Sequence, residues 1–250
     1  SYVNLGTGIP TQVSNYLEGR GVWLHAENGV LGYGGIVTGD AIDPDLFNAS
    51  GQFVQAIAGT SYFDSVTSFE MARGGHIDAV VLGAYEVDQE GNVANWSLAN
   101  AQRGGIGGAM DLVAGDAELI IVLEHRDSKD RPKLRKRCTF PLTARRRVNW
   151  VVTDLAVLHW VDGRFVLEAI APGFTVEEVK SLTEMEFAVA HHRPEDERAR
   201  RATGRHRKPR GCRQHAGRRV CRAVGAGRTH LVVRGLDMVQ RKIPVCEAAD

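Results

Sequence analysis

Residues 22–32 read Val-Trp-Leu-His-Ala-Glu-Asn-Gly-Val-Leu-Gly: an apolar strand runs straight into a lone carboxylate, Glu27, and then into Asn28-Gly29. Burying an unpaired carboxylate is costly, so an acid in this position is either a surface turn residue or a group with a task. The Asn-Gly turn can point the preceding side chain off the strand end, where open α/β sheets bind their ligands. A glutamate there can serve as general base, metal ligand or covalent nucleophile. No second carboxylate stands at short spacing, which leaves glycosidase-type pairing unsupported. His25, His76, His125 and His159 stand singly, without HxH or HxxxH spacing, which argues against a zinc site. The serines and Cys138 lack the setting of an activated nucleophile.

Two glycine-rich stretches could approach a reacting group. Leu-Gly-Thr-Gly-Ile-Pro at residues 5–10 follows a strand and opens a helix, yet it is neither GxGxxG nor a P-loop. Its expected role is a strand-to-helix turn. Arg-Gly-Gly-Ile-Gly-Gly-Ala-Met-Asp-Leu at residues 103–112 also precedes a helical stretch. Glycines there permit close backbone approach and leave amide N–H groups free, the ingredients of an oxyanion site or of a plain loop. The basic run at residues 126–137, RDSKDRPKLRKR, reads as a solvated loop or as a reach toward a phosphate-bearing substrate.

The elements that must position these groups follow from the pattern. Strands are expected at YVNLG, GVWLHA, FVQAIAG, IDAVVLGAYEVD, Leu119–Leu123, VNWVVTDLAVLHW and RFVLEAIAP, several of them apolar enough to be buried on both faces. Helices are expected at PTQVSNYLEG, where Pro10 suits a first turn, and at SYFDSVTSFEMARGG, ending on Gly74-Gly75. A further helix is expected at FTVEEVKSLTEMEF, with Thr175 as N-cap and Glu178 as its capping-box partner. Residues 33–52 read as an irregular loop, and Glu90-Gly91-Asn92 as a turn. Strands alternating with helices define an α/β fold, an open, mixed or mostly parallel sheet flanked by helices.

The 250 residues are 43% hydrophobic and 24% charged, an ordinary globular balance. Without an 18-residue apolar run or a signal-peptide pattern at Ser1-Tyr2-Val3, and with four cysteines lacking any CxxC pair, a cytoplasmic protein is expected. The net charge of +1 conceals two kinds of sequence: residues 1–190 carry 15 Lys and Arg against 24 Asp and Glu, whereas residues 191–250 carry 16 against 6. The expected organisation is therefore one domain over 1–190 and an atypical Arg-rich tail over 191–250. The tail has no sustained period and few large apolar residues to bury, so it is expected to be disordered. Its abrupt onset and its excess of Arg, Gly and Ala suit out-of-frame translation of a GC-rich gene.

Taken together and in this order, VNLGTGIPTQVSNYL, HAENGVLGYG, GGHIDAVVLGAYEVDQEGNVANW, GIGGAMDLV, LEHRDSKDRPKLRKRCTFPLT and VVTDLAVL resemble the β subunit of the family I, 3-oxoacid type CoA-transferases over roughly residues 2–185. The resemblance implies a ribose-5-phosphate-isomerase/CoA-transferase-like fold and a separate α subunit, usually in an α2β2 assembly. It puts the family's nucleophile on Glu27, its backbone oxyanion donors on Gly107 and Gly108, and substrate contacts on Asn28, Gly29 and Asn95. It further implies transfer of CoA from succinyl-CoA to a 3-oxo acid through a glutamyl-CoA thioester. Coenzyme A is then substrate and product, with no other cofactor and no metal. LGAYEV and ANWS lean toward 3-oxoadipate over acetoacetate as acceptor. Two other activities fit the same residues: an acyl-CoA hydrolase, or a binding protein of this fold with the tail as a basic nucleic-acid arm.

Overall fold

The computed structural model describes residues 1–17, 19–98 and 105–190. The Arg-rich tail, and with it the domain boundary and any nucleic-acid role expected of it, lies outside the described residues. No helix among them is long and apolar enough to cross a membrane.

In chain order the strands are β1 (Tyr2–Leu5), β2 (Trp23–Ala26), β3 (Val30–Ile36), β4 (Val54–Tyr62) and β5 (Ala79–Gly83). Next come β6 (Glu86–Asp88), β7 (Val93–Ala94), β8 (Glu118–Val122) and β9 (Leu134–Arg135). The last are β10 (Trp150–Val152), β11 (Ala156–Val161), β12 (Arg164–Ile170) and β13 (Ala188–Val189). Among the described residues three α-helices accompany them: α1 (Ser65–Arg73), α2 (Ala109–Leu112) and α3 (Val176–Ser181).

One ten-stranded sheet runs β13-β12-β11-β10-β8-β5-β1-β2-β3-β4, and β7-β6-β9 form a small second sheet. The centre of the large sheet, β10-β8-β5-β1-β2, is wholly parallel, with antiparallel pairs beyond it on each side. Burial on both faces explains the unbroken apolar runs: in β5 and β8, Val81, Ile120 and Val122 face one core cluster, while Val80, Leu82, Leu119 and Ile121 face the other. The second cluster is closed by Ala72 of α1, Leu112 of α2 and Val179 of α3.

The structure corrects three expectations. The segment after Pro10 is a 3-10 helix, Ile9–Tyr16, because Thr11 Oγ1 and Ser14 Oγ donate to carbonyls three residues back, at 2.8 Å each, favouring the tighter winding. The expected loop over 33–52 begins as strand, since β3 continues to Ile36 in pairing with β4. The run IDAVVLGAYEVD is two strands, because Tyr85 N–H donates to Ala94 O and draws β6 into the small sheet. The capping box at Thr175 and Glu178 forms as expected, on a shorter helix.

Two buried histidines tie the parallel core to its coverings. Asn4 Nδ2 donates to His25 Nδ1 at 2.9 Å, which leaves Nε2–H of His25 for Ser68 Oγ of α1 at 3.0 Å. His125, just past β8, bonds Thr153 Oγ1 at 3.0 Å and Thr183 Oγ1, beyond α3, at 2.8 Å. Burial holds both at a pKa of about 4, against 6.5 for an ordinary histidine. Between those values the unfolded chain takes up protons that the folded chain refuses, so stability is lost as pH falls from 6.5 toward 4. The urea unfolding free energy is expected to drop by roughly 2 kcal/mol per histidine between pH 7 and pH 5. Replacing both by Gln should lower stability at pH 7 and flatten this slope; an unfolding free energy that does not change across that interval in the wild type contradicts the account.

Candidate active site

Four neighbouring parallel strands, β8, β5, β1 and β2, end at one edge of the sheet, and the residues that follow them meet there. After β2 comes Glu27; after β1 come Gly6, Thr7 and Gly8; after β5 come Ala84 and Tyr85; after β8 come Leu123 and Glu124. With Asn95, Lys133 and the stretch from Gly105 to Ala109 they line one cavity of about 400 Å³. This is the ligand position expected at the carboxyl ends of parallel strands.

Glu27 is placed by a tight turn in which Gly29 N–H donates to Ala26 O at 2.9 Å. Gly29 has φ +107°, and a Cβ there would lie 1.9 Å from the Phe63 carbonyl oxygen, so only glycine fits. The same approach lets Phe63 N–H donate to Gly29 O at 3.0 Å. The N-cap of helix α1 is the next residue, Asp64, whose Oδ1 accepts from Thr67 N–H at 2.8 Å. The helix brings Ser68 to His25 and the Phe69 ring, with the Glu27 carboxylate, against the face of Gly108 where a side chain would begin.

Gly108 lies hard against the carboxylate. A Cβ built on it would stand 2.7 Å from Glu27 Oε2 and 2.5 Å from Phe69 Cε1. Gly107 has φ +52°, and among the described residues neither it nor Gly108 donates its N–H to a protein acceptor. Burial raises the Glu27 pKa, and the nearby charge of Asp111 raises it further. Asp111 itself is ion-paired with Arg73.

Of the residues singled out in the sequence, Glu27, Gly107, Gly108 and Asn95 come together around this cavity. Asn95 is fixed by Thr143, whose Oγ1 donates to its Oδ1 at 2.6 Å. Asn28 and Gly29 are not in the lining. Asn28 Nδ2 donates to Phe47 O at 2.9 Å, and Gly29 is the hinge of the turn. Thr7 and Gly8 belong to the segment read as a bare turn, and Glu124 carried no functional expectation, while Tyr85 and Lys133 were read only as parts of LGAYEV and of the basic run at 126–137. The signal that finds them is positional: each follows a strand of the parallel core or, for Lys133, flanks the strand that carries the small sheet beside it.

Such a cleft, on such a sheet, defines an open α/β enzyme of the kind that binds ligands at its strand ends. The chain belongs to the coenzyme A transferase family, whose sequence profile matches residues 1–182, and it is a CoA-transferase. It is 48% identical over 189 residues to the β subunit of the acetate CoA-transferase of Escherichia coli K12, covering 75% of this chain and 86% of that one. It is 44% identical over 189 residues to the corresponding subunit of a probable succinyl-CoA:3-ketoacid coenzyme A transferase of Bacillus subtilis, covering 75% and 88%. The fold matches that of an acyl-CoA transferase from Escherichia coli O157:H7 with a TM-score of 0.58 at 19% identity, over 76% of this chain and 39% of that longer chain.

The contact at Gly108 makes a sharp expectation. Gly108→Ala should fold, since Phe69 and the Glu27 side chain can shift, but turnover should fall about a hundredfold because the carboxylate is displaced. Gly29→Ala, which pits a Cβ against backbone, should instead fail to give soluble, cooperatively melting protein. Turnover and melting curves of the two variants check this; a fully active Gly108→Ala enzyme contradicts the placement.

Proposed function

We propose that the chain is the β subunit of a two-subunit CoA-transferase that moves CoA from succinyl-CoA to a 3-oxo acid, with Glu27 as the covalent nucleophile. The observation that carries this is the meeting of a half-buried carboxylate with the Gly107-Gly108 backbone at the end of a parallel strand. The names of the relatives support the two-subunit reading, since both are designated one subunit of such an enzyme. An α2β2 assembly in the cytoplasm, acting on 3-oxoadipate or acetoacetate, completes the proposal.

In this reading a Glu27 oxygen attacks the donor thioester carbonyl, and the tetrahedral oxyanion is received by the N–H groups of the Gly107-Gly108 stretch. Collapse expels the CoA thiolate and leaves an acyl-glutamyl anhydride. The thiolate then attacks the glutamyl carbonyl, releasing the donor acid as its carboxylate and leaving CoA on Glu27 as a thioester. The acceptor carboxylate reverses both steps, and Glu27 is regenerated. Both intermediates are activated acyl groups, so the thioester's free energy is conserved provided water is kept out. The partner subunit would complete that enclosure, so this chain on its own is expected to turn over at background rate.

Only ionised Glu27 can attack. Its raised pKa therefore predicts that activity falls as pH drops through a value above the usual carboxylate range. Asp111→Asn removes one cause of the shift and should move this acid limb to lower pH. The decisive experiment incubates the α-subunit complex with acyl-CoA, without acceptor, and maps the adduct. Borohydride-sensitive CoA on Glu27, lost together with turnover in Glu27→Ala, is the expected result. Label elsewhere, or activity surviving Glu27→Ala, would falsify the mechanism.

A further inference from the structure

A second cavity of about 480 Å³ adjoins the first and shares Tyr85, Glu124 and Lys133 with it. Its remaining wall comes from the small sheet and its loops, including Arg131, Pro132, Arg135, Thr139 and Phe140. The acids and bases of this wall are largely spoken for. Arg131 pairs with Asp127 at 2.6 Å, and Arg135 with Glu184 at 2.9 Å and Glu86 at 3.5 Å. Buried Glu86 also accepts from Thr139 N–H and Oγ–H, at 2.5 and 2.8 Å, and from Phe140 N–H at 3.2 Å.

Lys133 is the exception. Among the described residues it is the one cation lining the Glu27 cavity, and its ammonium makes no ion pair with them. Its backbone is fixed at both ends, with its N–H donating to His125 O at 3.0 Å and its carbonyl receiving Val87 N–H at 3.1 Å. The side chain is half-buried at the seam between the two cavities. Glu124 lines both cavities with it, and a half-buried cation that makes no ion pair with the described residues is suited to an anion that arrives with the substrate.

A CoA-transferase brings acids to this cleft. The carboxyl that exchanges CoA must meet Glu27, and a monocarboxylic acid has no other. Only a dicarboxylic acid presents a second carboxylate at a distance. We propose that Lys133 receives this remote carboxylate, making the enzyme selective for dicarboxylic acyl donors and acceptors, with the second cavity holding the far end of the acyl chain. This rests on the placement of the reaction at Glu27. It narrows the acceptor to the dicarboxylic 3-oxo acids.

The test uses the full chain in complex with its α subunit, and compares wild type with Lys133→Met and Lys133→Arg. Each is assayed for kcat/KM with succinyl-CoA and acetyl-CoA as donors, and with 3-oxoadipate and acetoacetate as acceptors. Wild type should favour the dicarboxylic member of each pair. Lys133→Met should lose about tenfold to a hundredfold on the dicarboxylic substrates, chiefly through KM, and change less than about twofold on the others. Lys133→Arg should recover most of the loss. An equal loss on both series would assign Lys133 to coenzyme A itself and overturn the proposal, as would no loss or a wild type without dicarboxylic preference. Mapping the CoA adduct formed from acetyl-CoA by Lys133→Met keeps the two readings apart: an adduct missing from Glu27 in wild type and variant alike refutes the nucleophile, whereas the substrate ratios judge Lys133 independently.

Discussion

The carbonyl of Phe63 occupies the space in which any side chain on residue 29 would begin, 1.9 Å from where its Cβ would be. That close approach clamps the β2–β3 turn to the junction of β4 with α1, and much of the site depends on it. Glu27 is held two residues before the clamp, and α1 leaves immediately after it. Ser68 and Phe69 therefore arrive at fixed positions, one at the buried imidazole of His25 and the other against Gly108 beside the carboxylate. A larger residue at 29 would separate the turn from the helix and, with it, the carboxylate from the glycine backbone it faces.

The clamp holds a carboxylate in a setting that resists its charge. Burial raises the Glu27 pKa, the Asp111 charge adds to the effect, and Arg73 is committed to Asp111. A structural acid would be offset by a cation or by several N–H donors, as Glu86 and Asp88 are in the small sheet. Glu27 is treated differently, and a carboxylate left weakly solvated is a better nucleophile than one bound in an ion pair. The contrast among these three acids in one chain sets Glu27, whose charge burial disfavours, apart from Glu86 and Asp88, which hold loops in place.

The parallel core supplies the remaining constraint. Because β8, β5, β1 and β2 run the same way, whatever follows each of them emerges at the same edge. Four short segments far apart in the chain thereby become the floor and walls of one cleft. The small sheet stands beside this edge, and its connections contribute Tyr85 and Lys133 to the seam between two cavities. The fold thus places a carboxylate and glycine backbone in one cavity and a cation at the seam with the next.

Local rules made a good deal of this legible from the chain alone. The apolar runs of β5 and β8, the Thr175–Glu178 capping box and the turn that exposes Glu27 are decided by neighbours a few residues apart, and the sequence by itself determined them. So, too, did the motifs that mark the coenzyme A transferase family. Asn28 was conspicuous for the same local reason, yet its amide is spent on the Phe47 carbonyl, an interaction across 19 residues. Only the tertiary structure decided that Thr7, Tyr85, Glu124 and Lys133 share a cleft with Glu27, because parallel pairing joins strands through long crossovers and no local period records which strand ends become neighbours. It likewise decided that Gly108 lies against the carboxylate, since that approach joins residues 81 positions apart, with the ring of Phe69 from a third segment packed at the same point.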